Sequence, residues 1–219
     1  MEKNLVLTKL YDKDFYVYDG SWHCVSNNIK NHGHWDQDQI NLIKNFGGKN
    51  KLFIDVGTEI GSYSIPISDY FKKVISFEPN LDNFNLVIKN IELNNIKNII
   101  PINKAISNTN SKGNMVGTYN TNLSEEGGEL DVVTLDSEIL KLGFAYSDIG
   151  FIKIDIEGHE MKALNGGKEL IKTAFPAIYL ETHGDQVKKE CLDFLFNFGY
   201  VIEKNYNDID FLLVKNGKN

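Results

Sequence analysis

The chain has 219 residues, 42% hydrophobic and 24% charged, which suits one domain with a full core and a short extension. Its formal net charge is −7 and it contains no arginine, so the bidentate phosphate and guanine contacts of most nucleic-acid readers are missing and a nucleic-acid partner is not expected. No stretch approaches the ~18 unbroken apolar residues of a membrane span; the opening M-E-K-N-L-V-L-T-K-L-Y-D lacks a signal-peptide core, and Cys24 and Cys191 stand far apart, so free thiols in the cytoplasm are expected.

Residues 1–50 read as an N-terminal extension. Phe15 to Tyr18 (F-Y-V-Y) predicts a short strand closed by a turn at Asp19-Gly20. The following S-W-H-C-V-S-N-N-I-K-N-H-G-H-W-D holds both tryptophans and three of the five histidines. It is either a loop whose aromatic rings pack on the domain or a substrate lid, and no metal-ligand spacing is present. Asp36 to Phe46 predicts a helix, with Asp36 as N-cap, an apolar face at Ile40, Ile43 and Phe46, and Gly47-Gly48 as its stop.

The stretch Lys51 to Tyr63 (K-L-F-I-D-V-G-T-E-I-G-S-Y) organises the rest. Leu52, Phe53, Ile54 and Val56 have the composition of a strand buried on both faces. After Asp55 and Gly57 a helical spacing begins at Ile60 and runs through Tyr63, Ile67, Tyr70 and Phe71. Strand, glycine turn and helix have the form of a nucleotide-type cofactor site, where the glycines admit a ligand close to the backbone; the alternative is a plain α/β turn. A nicotinamide fingerprint wants G-x-G-x-x-G; this chain offers D-x-G-x-x-x-G instead.

A second buried strand, Val74 to Glu78, also ends in an acid, about 20 residues beyond Gly57, where such sites place the carboxylate that accepts ribose hydroxyls. A helix from Pro79-Asn80 follows, with Phe84, Val87, Ile88 and Ile91 on one face. Ile99 to Lys104 predicts a strand, Asn108 to Glu129 a polar hairpin or loop, Leu130 to Leu135 an exposed or edge strand, and Asp136 to Leu140 a short helix. Phe151 to Asp155 is a central strand, and the helix from Glu160 is interrupted at Gly166-Gly167. Ala177 to Leu180 is another buried strand, Val187 to Phe198 an amphipathic helix, and Tyr200–Lys204 with Phe211–Val214 an antiparallel hairpin.

Chemistry-bearing residues gather at two strand ends. Asp155, Glu157 and His159 leave one strand; Glu181 and His183 leave the next. Ligands of open α/β sheets bind there. If the strands are neighbours, Asp155 and Glu181 can hold a divalent ion such as magnesium, share a proton, or place His159 or His183 as base; the alternative is that these acids cap helices and bind loop amides, which suits Glu160 and part of Glu157.

The motifs resemble those of the FkbM-type methyltransferases, a group of the class I S-adenosylmethionine enzymes. The matching pieces are I-D-V-G-T-E-I-G-S-Y-S at 54–64, F-E-P-N at 77–80, L-N-N at 93–95, A-I-S at 105–107, V-T-L-D at 133–136, K-I-D-I-E-G-H-E at 153–160, L-N-G-G at 164–167 and P-A-I-Y-L-E at 176–181. The resemblance implies an α/β fold: a Rossmann-like methyltransferase domain over 51–219, with a mostly parallel seven-stranded sheet, a C-terminal antiparallel hairpin and helices on both faces. It implies S-adenosylmethionine as cofactor, with Asp55, Gly57 and Gly61 forming its turn. Ser62 and Tyr63 would then meet its carboxylate, Glu78 its ribose, and Lys104 and Ala105 would lie by its adenine. Glu59 stands where the family usually has asparagine and would either pair with the cofactor ammonium or repel its carboxylate. The implied activity is O-methylation of a small-molecule or glycan hydroxyl, on a sugar, glycolipid or natural product. A nicotinamide-dependent oxidoreductase or epimerase would want a third glycine and a Tyr-x-x-x-Lys pair. A binding scaffold without catalysis would drop the acids, yet Asp155 and Glu181 are present.

Overall fold

A computed structural model describes residues 4–20, 22–117, 122–125 and 127–217. The chain opens with an antiparallel hairpin, β1 (Leu5–Leu10) and β2 (Lys13–Tyr18), then α1 (Cys24–His32) and α2 (Gln37–Asn45). An alternating unit follows: β3 (Gly48–Val56), α3 (Ser64–Ile67), β4 (Phe71–Phe77), α4 (Leu81–Leu93) and β5 (Ile99–Ile102). A small-sheet excursion contains β6 (Ala105–Ile106), β7 (Ser111–Val116), β8 (Asn122–Ser124) and β9 (Leu130–Val133). The chain then forms α5 (Leu135–Lys141), β10 (Ile149–Ile154), α6 (Glu160–Gly166), α7 (Lys168–Ala174), β11 (Ala177–Glu181), α8 (Asp185–Asn197), β12 (Tyr200–Asn205) and β13 (Asp210–Lys215).

The main sheet has the order β12-β13-β11-β10-β3-β4-β5. Its inner pairs are parallel, and β13 runs antiparallel to both its neighbours, so the expected mixed sheet with a terminal hairpin is what forms. β5 is the edge strand, which is why Pro101 is tolerated there. Each face of the sheet carries a core. Leu52, Ile54 and Val56 of β3 pack on one side with Ala163, Leu170 and Leu195 from α6, α7 and α8. Phe53 and Phe151 pack on the other, where Leu10, Phe15, Val17, Ile29, Ile40 and Ile43 from the first fifty residues fill the same core. Among the described residues no helix is long and apolar enough to cross a membrane.

Several local expectations are corrected. The histidine-rich stretch is helical over Cys24–His32, because Val25, Ser26 and Ile29 bury one side, the His23 ring accepts the Ser26 amide as an N-cap, and Gly33 closes the helix at φ 71°. Asp36 precedes α2 at φ 41° but makes no capping bond; its carboxylate accepts the Tyr63 hydroxyl at 2.8 Å instead. The helix after Gly61 is a single turn, since Phe71 is already extended and packs its ring 5.3 Å from that of Phe53. Strand β5 stops at Ile102, and Lys104 leads into the separate β6. β9 lies inside the order β6-β9-β7-β8 and is not an edge strand. In the polar segment β7 and β8 pair antiparallel, while residues 118–121 and 126 lie outside the described residues.

Candidate active site

A polar row crosses the middle of the sheet. Asp55 falls on the Phe53 side of β3, fully buried, with Ser76 of β4 on one flank and Lys153 of β10 on the other; Tyr179 of β11 is next to Lys153. A buried carboxylate is costly unless it is paired and hydrogen-bonded. Asp55 Oδ2 accepts from Ser64 Oγ at 2.6 Å, and Ser64 in turn meets Ser76 Oγ at 2.6 Å. Lys153, only 2% exposed, donates to the Gly57 carbonyl and to Asp155 Oδ2, each at 3.2 Å, and lies 3.8 Å from Asp55 Oδ1. Burial pulls its ammonium toward neutrality, but the charges of Asp155, Asp55 and Glu181 outweigh that and hold its pKa above the ordinary lysine value.

Above this row, where the strand order turns from β3 to β10, a cleft of about 410 Å³ opens at the carboxyl ends of the strands. Gly57 (φ 82°) shapes its floor: a Cβ there would stand 1.9 Å from the Asp155 carbonyl oxygen, so only glycine lets the exits of β3 and β10 approach. Glu59, Ser62 and Tyr63 line the cleft from the same turn, Glu78 from the end of β4, and Lys104 and Ala105 from the far wall. Lys104 is paired with Glu138 at 2.7 Å. Asp55 lies beneath the cleft, and a Cβ on Gly61 would back onto Ile65 at 3.1 Å; neither residue lines it.

Glu78 is buried at the cleft edge, where each carboxylate oxygen accepts one backbone amide, that of Glu59 at Oε2 and that of Asn80 at Oε1, both at 2.9 Å. Burial pushes its pKa up to about 8 against those two bonds. Glu59 sits at φ 54°, with a third of its side chain exposed and Oε1 3.2 Å from His23 Nε2. His23 Nδ1 accepts the Ser26 amide, so the neutral ring carries its proton on Nε2 and presents it to Glu59. Burial, and then Asp155 and Glu78, raise the Glu59 carboxyl well above its usual range.

β10 and β11 are adjacent, so Asp155, Glu181 and His183 do converge, each offering a ligand atom within 4.8 Å of the others. The two histidines differ in kind. His183 Nδ1 faces Glu160 Oε1 at 3.3 Å, and its Nε2 faces Glu157 and Glu181 at 3.4 and 3.5 Å. The Glu160 bond and the surrounding carboxylates raise His183 to about 9 against burial, a preference for the protonated ring that a bound metal ion would reverse. His159 is lowered by burial and by Lys162, and its buried Nε2 has no hydrogen-bond partner among the described residues. That nitrogen lies 3.6 Å from Glu125 Oε1, beyond hydrogen-bond range, so of the two rings His159 is the one disposed to receive a proton. Glu181 is pushed up to about 8 by burial, Asp155 and Asp210. Glu160 accepts the Ile156 and Gly158 amides, the loop-binding part expected of it.

The shifts of Glu78, Glu181 and His183 share one sign. Carboxyls raised to about 8 hold protons that the unfolded chain has released above about pH 4.5, so their stabilisation fades between about pH 4.5 and 8. His183, raised to about 9, contributes stability that is complete below about pH 6.5 and is lost through about pH 9. The melting temperature of the cofactor-free protein is expected to fall from about pH 5.5 to 9. Calorimetric scans across that range check this, and a flat or rising profile would show these groups keep ordinary pKa values.

Sequence reasoning passed over Lys153, although a lysine inside an otherwise apolar strand was the available signal. It read Asp36 only as an N-cap, where its carboxylate instead accepts the Tyr63 hydroxyl, and it left the stretch with Trp22, His23 and Trp35, which line the cleft, between a packed loop and a lid.

The strand order, the reversed β13 and the cleft at the switch point define a Rossmann-like methyltransferase domain. The family described as "Methyltransferase FkbM domain" matches residues 55–211, and the chain belongs to it. The hexuronic acid methyltransferase AglP of Haloferax volcanii is 24% identical over 135 residues, covering 60% of this chain and 56% of that protein. Methyltransferase FkbM from Methylobacillus flagellatus superimposes with a TM-score of 0.56 at 19% identity, over 75% of this chain and 43% of that one. Methanocaldococcus jannaschii TYW2, solved with AdoMet, gives 0.52 at 14% identity over 98% and 85%. The chain thus spans about half the length of its curated relative, and the structural likenesses establish the fold.

Proposed function

We propose that the protein is an S-adenosylmethionine-dependent O-methyltransferase acting on a hydroxyl of a sugar, glycolipid or natural product. The observation that carries this is Glu78, a buried carboxylate at the cleft with one backbone amide on each oxygen and lone pairs left for a vicinal diol. Gly57 and Ser62 would admit the cofactor's amino-acid end to the turn, and Lys104 and Ala105 would border its base. When bound, the cofactor supplies an electrophilic methyl group on a sulfonium.

The chain's own part is to bind, align and dehydrate the reactants and to move one proton. Asp155 would orient the acceptor hydroxyl, and His159 Nε2, buried and without a hydrogen bond, would take its proton. His183 and Glu181 would hold the charge balance beside them. Both cleft lysines are already engaged, Lys104 by Glu138 and Lys153 by Asp155, which favours a neutral hydroxyl acceptor over a carboxylate. Residues 1–50 would act as a lid, with Trp22 and Trp35 facing the acceptor.

Calorimetric titration tests the reading: S-adenosylmethionine should bind and NAD should not. Glu78→Ala should weaken binding by about 1–3 kcal/mol, the cost of leaving buried hydrogen-bonding groups without their partner. An unchanged dissociation constant in that variant would remove Glu78 from the ribose site, and NAD binding in place of S-adenosylmethionine would overturn the reading.

A further inference from the structure

The ends of β10 and β11 bring three different side chains to one spot. Asp155, Glu181 and His183 each place a ligand atom within 4.8 Å of the other two. Donors around a six-coordinate ion at about 2.1 Å stand roughly 3 to 4.2 Å apart, and His183 Nε2 lies 3.5 Å from Glu181 Oε1. That separation is too long for a good N–H···O bond but falls within the span of two ligands sharing an ion.

The histidine is also held as a ligand is held. Glu160, fully buried and anchored by the Ile156 and Gly158 amides, faces Nδ1 at 3.3 Å and so turns Nε2 toward Glu181. A carboxylate behind the far ring nitrogen is the arrangement that fixes the orientation of metal-binding imidazoles. The other two donors have capacity to spare. Lys153 engages Asp155 through Oδ2, which leaves the second oxygen, and the Glu181 carboxylate accepts no hydrogen bond among the described residues. Glu157, 3.4 Å from His183 Nε2, adds a further negative charge. A dication would offset this excess of carboxylates.

We propose that Asp155, Glu181 and His183 form a binding site for a divalent cation of the magnesium and manganese type, bordering the cleft. Two carboxylates and one imidazole are a mainly hard donor set, and three protein ligands leave positions for water and an acceptor oxygen. The ion's part rests on the methyltransferase reading: it would hold the acceptor hydroxyl and lower its pKa, so that His159 receives the proton more readily.

Manganese binding, followed by loss of the free-ion paramagnetic resonance signal, tests the site without any acceptor. Saturable one-to-one binding at submillimolar Mn²⁺ is expected, weakened about tenfold or more in Glu181→Gln and in His183→Gln. Melting curves establish that each variant is folded, and magnesium should compete for the site. Absence of saturable binding, or binding that both substitutions leave unchanged, overturns the proposal. S-adenosylmethionine titrated into the same metal-free samples keeps the two readings apart: cofactor binding without manganese binding refutes the metal site alone.

Discussion

Asp155→Asn is expected to give a folded protein that binds cofactor but transfers methyl about 10²-fold or more slowly. Asp155 ends β10, whose Ile149, Phe151, Ile152 and Ile154 are buried, so the strand delivers a half-buried carboxylate to the cleft at the point where β3 and β10 separate. Asparagine keeps the shape and removes the charge. Three effects then act together: the acceptor hydroxyl loses an anionic acceptor, the proposed cation loses a ligand, and the Lys153 ammonium, deprived of one partner, carries more uncompensated positive charge beside the reaction. The fold should survive because Lys153 retains the Gly57 carbonyl and the nearby Asp55 charge. Single-turnover rates on an accepted hydroxyl compound, with cofactor affinity measured alongside, check this. Full turnover in the variant would reduce Asp155 to a structural partner of Lys153. EDTA separates the remaining routes: activity lost to chelation and restored by magnesium assigns Asp155 to the ion, whereas indifference assigns it to orienting the hydroxyl for His159.

Lys153→Met is expected to cause the largest loss of stability, about 3–5 kcal/mol, the range for removing one partner of a buried ion pair. The side chain sits 2% exposed between Asp55, which is fully buried, and Asp155. Methionine fills the volume but leaves Asp55 Oδ1, already without a hydrogen bond, buried with no counter-charge. It also frees the Gly57 carbonyl and with it the turn that shapes the cleft. Urea denaturation of the cofactor-free protein provides the measurement. Asp55→Asn combined with Lys153→Met should recover part of the loss, because the orphaned charge is gone. A single-variant loss below about 1 kcal/mol would mean that the Lys153–Asp55 pairing contributes little to the fold, and the electrostatic account of the polar row would fail.

The sequence by itself determined the frame. Strands buried on both faces need near-continuous apolar runs, so Leu52–Val56, Val74–Phe77, Phe151–Ile154 and Ala177–Leu180 are legible as the parallel centre of the sheet, and an acid or glycine at the end of each marks the ligand side. The terminal hairpin and the polar antiparallel segment after residue 108 were legible for the same reason, that local pattern and turn residues suffice. α1 was not legible, because its buried side consists of Val25, Ser26 and Ile29 among polar residues and becomes apolar only against the N-terminal hairpin. The helix after Gly61 looked longer than it is because Ile60 and Phe71 share its spacing but are buried by the turn and by β4.

The site followed the same division. Residue types and strand ends pointed to Glu78, Asp155, His159, Glu181 and His183, yet nothing local distinguishes one histidine from the other. Tertiary structure alone decided that His183 is ringed by Glu157, Glu160 and Glu181, which raise its pKa, while burial and Lys162 lower that of His159. It also placed Lys153 beside Asp55, residues nearly a hundred positions apart, and brought His23 onto Glu59 across the cleft. A protonation state is set by the charges and solvent within a few ångströms, and those neighbours arrive from distant parts of the chain only when the sheet has formed.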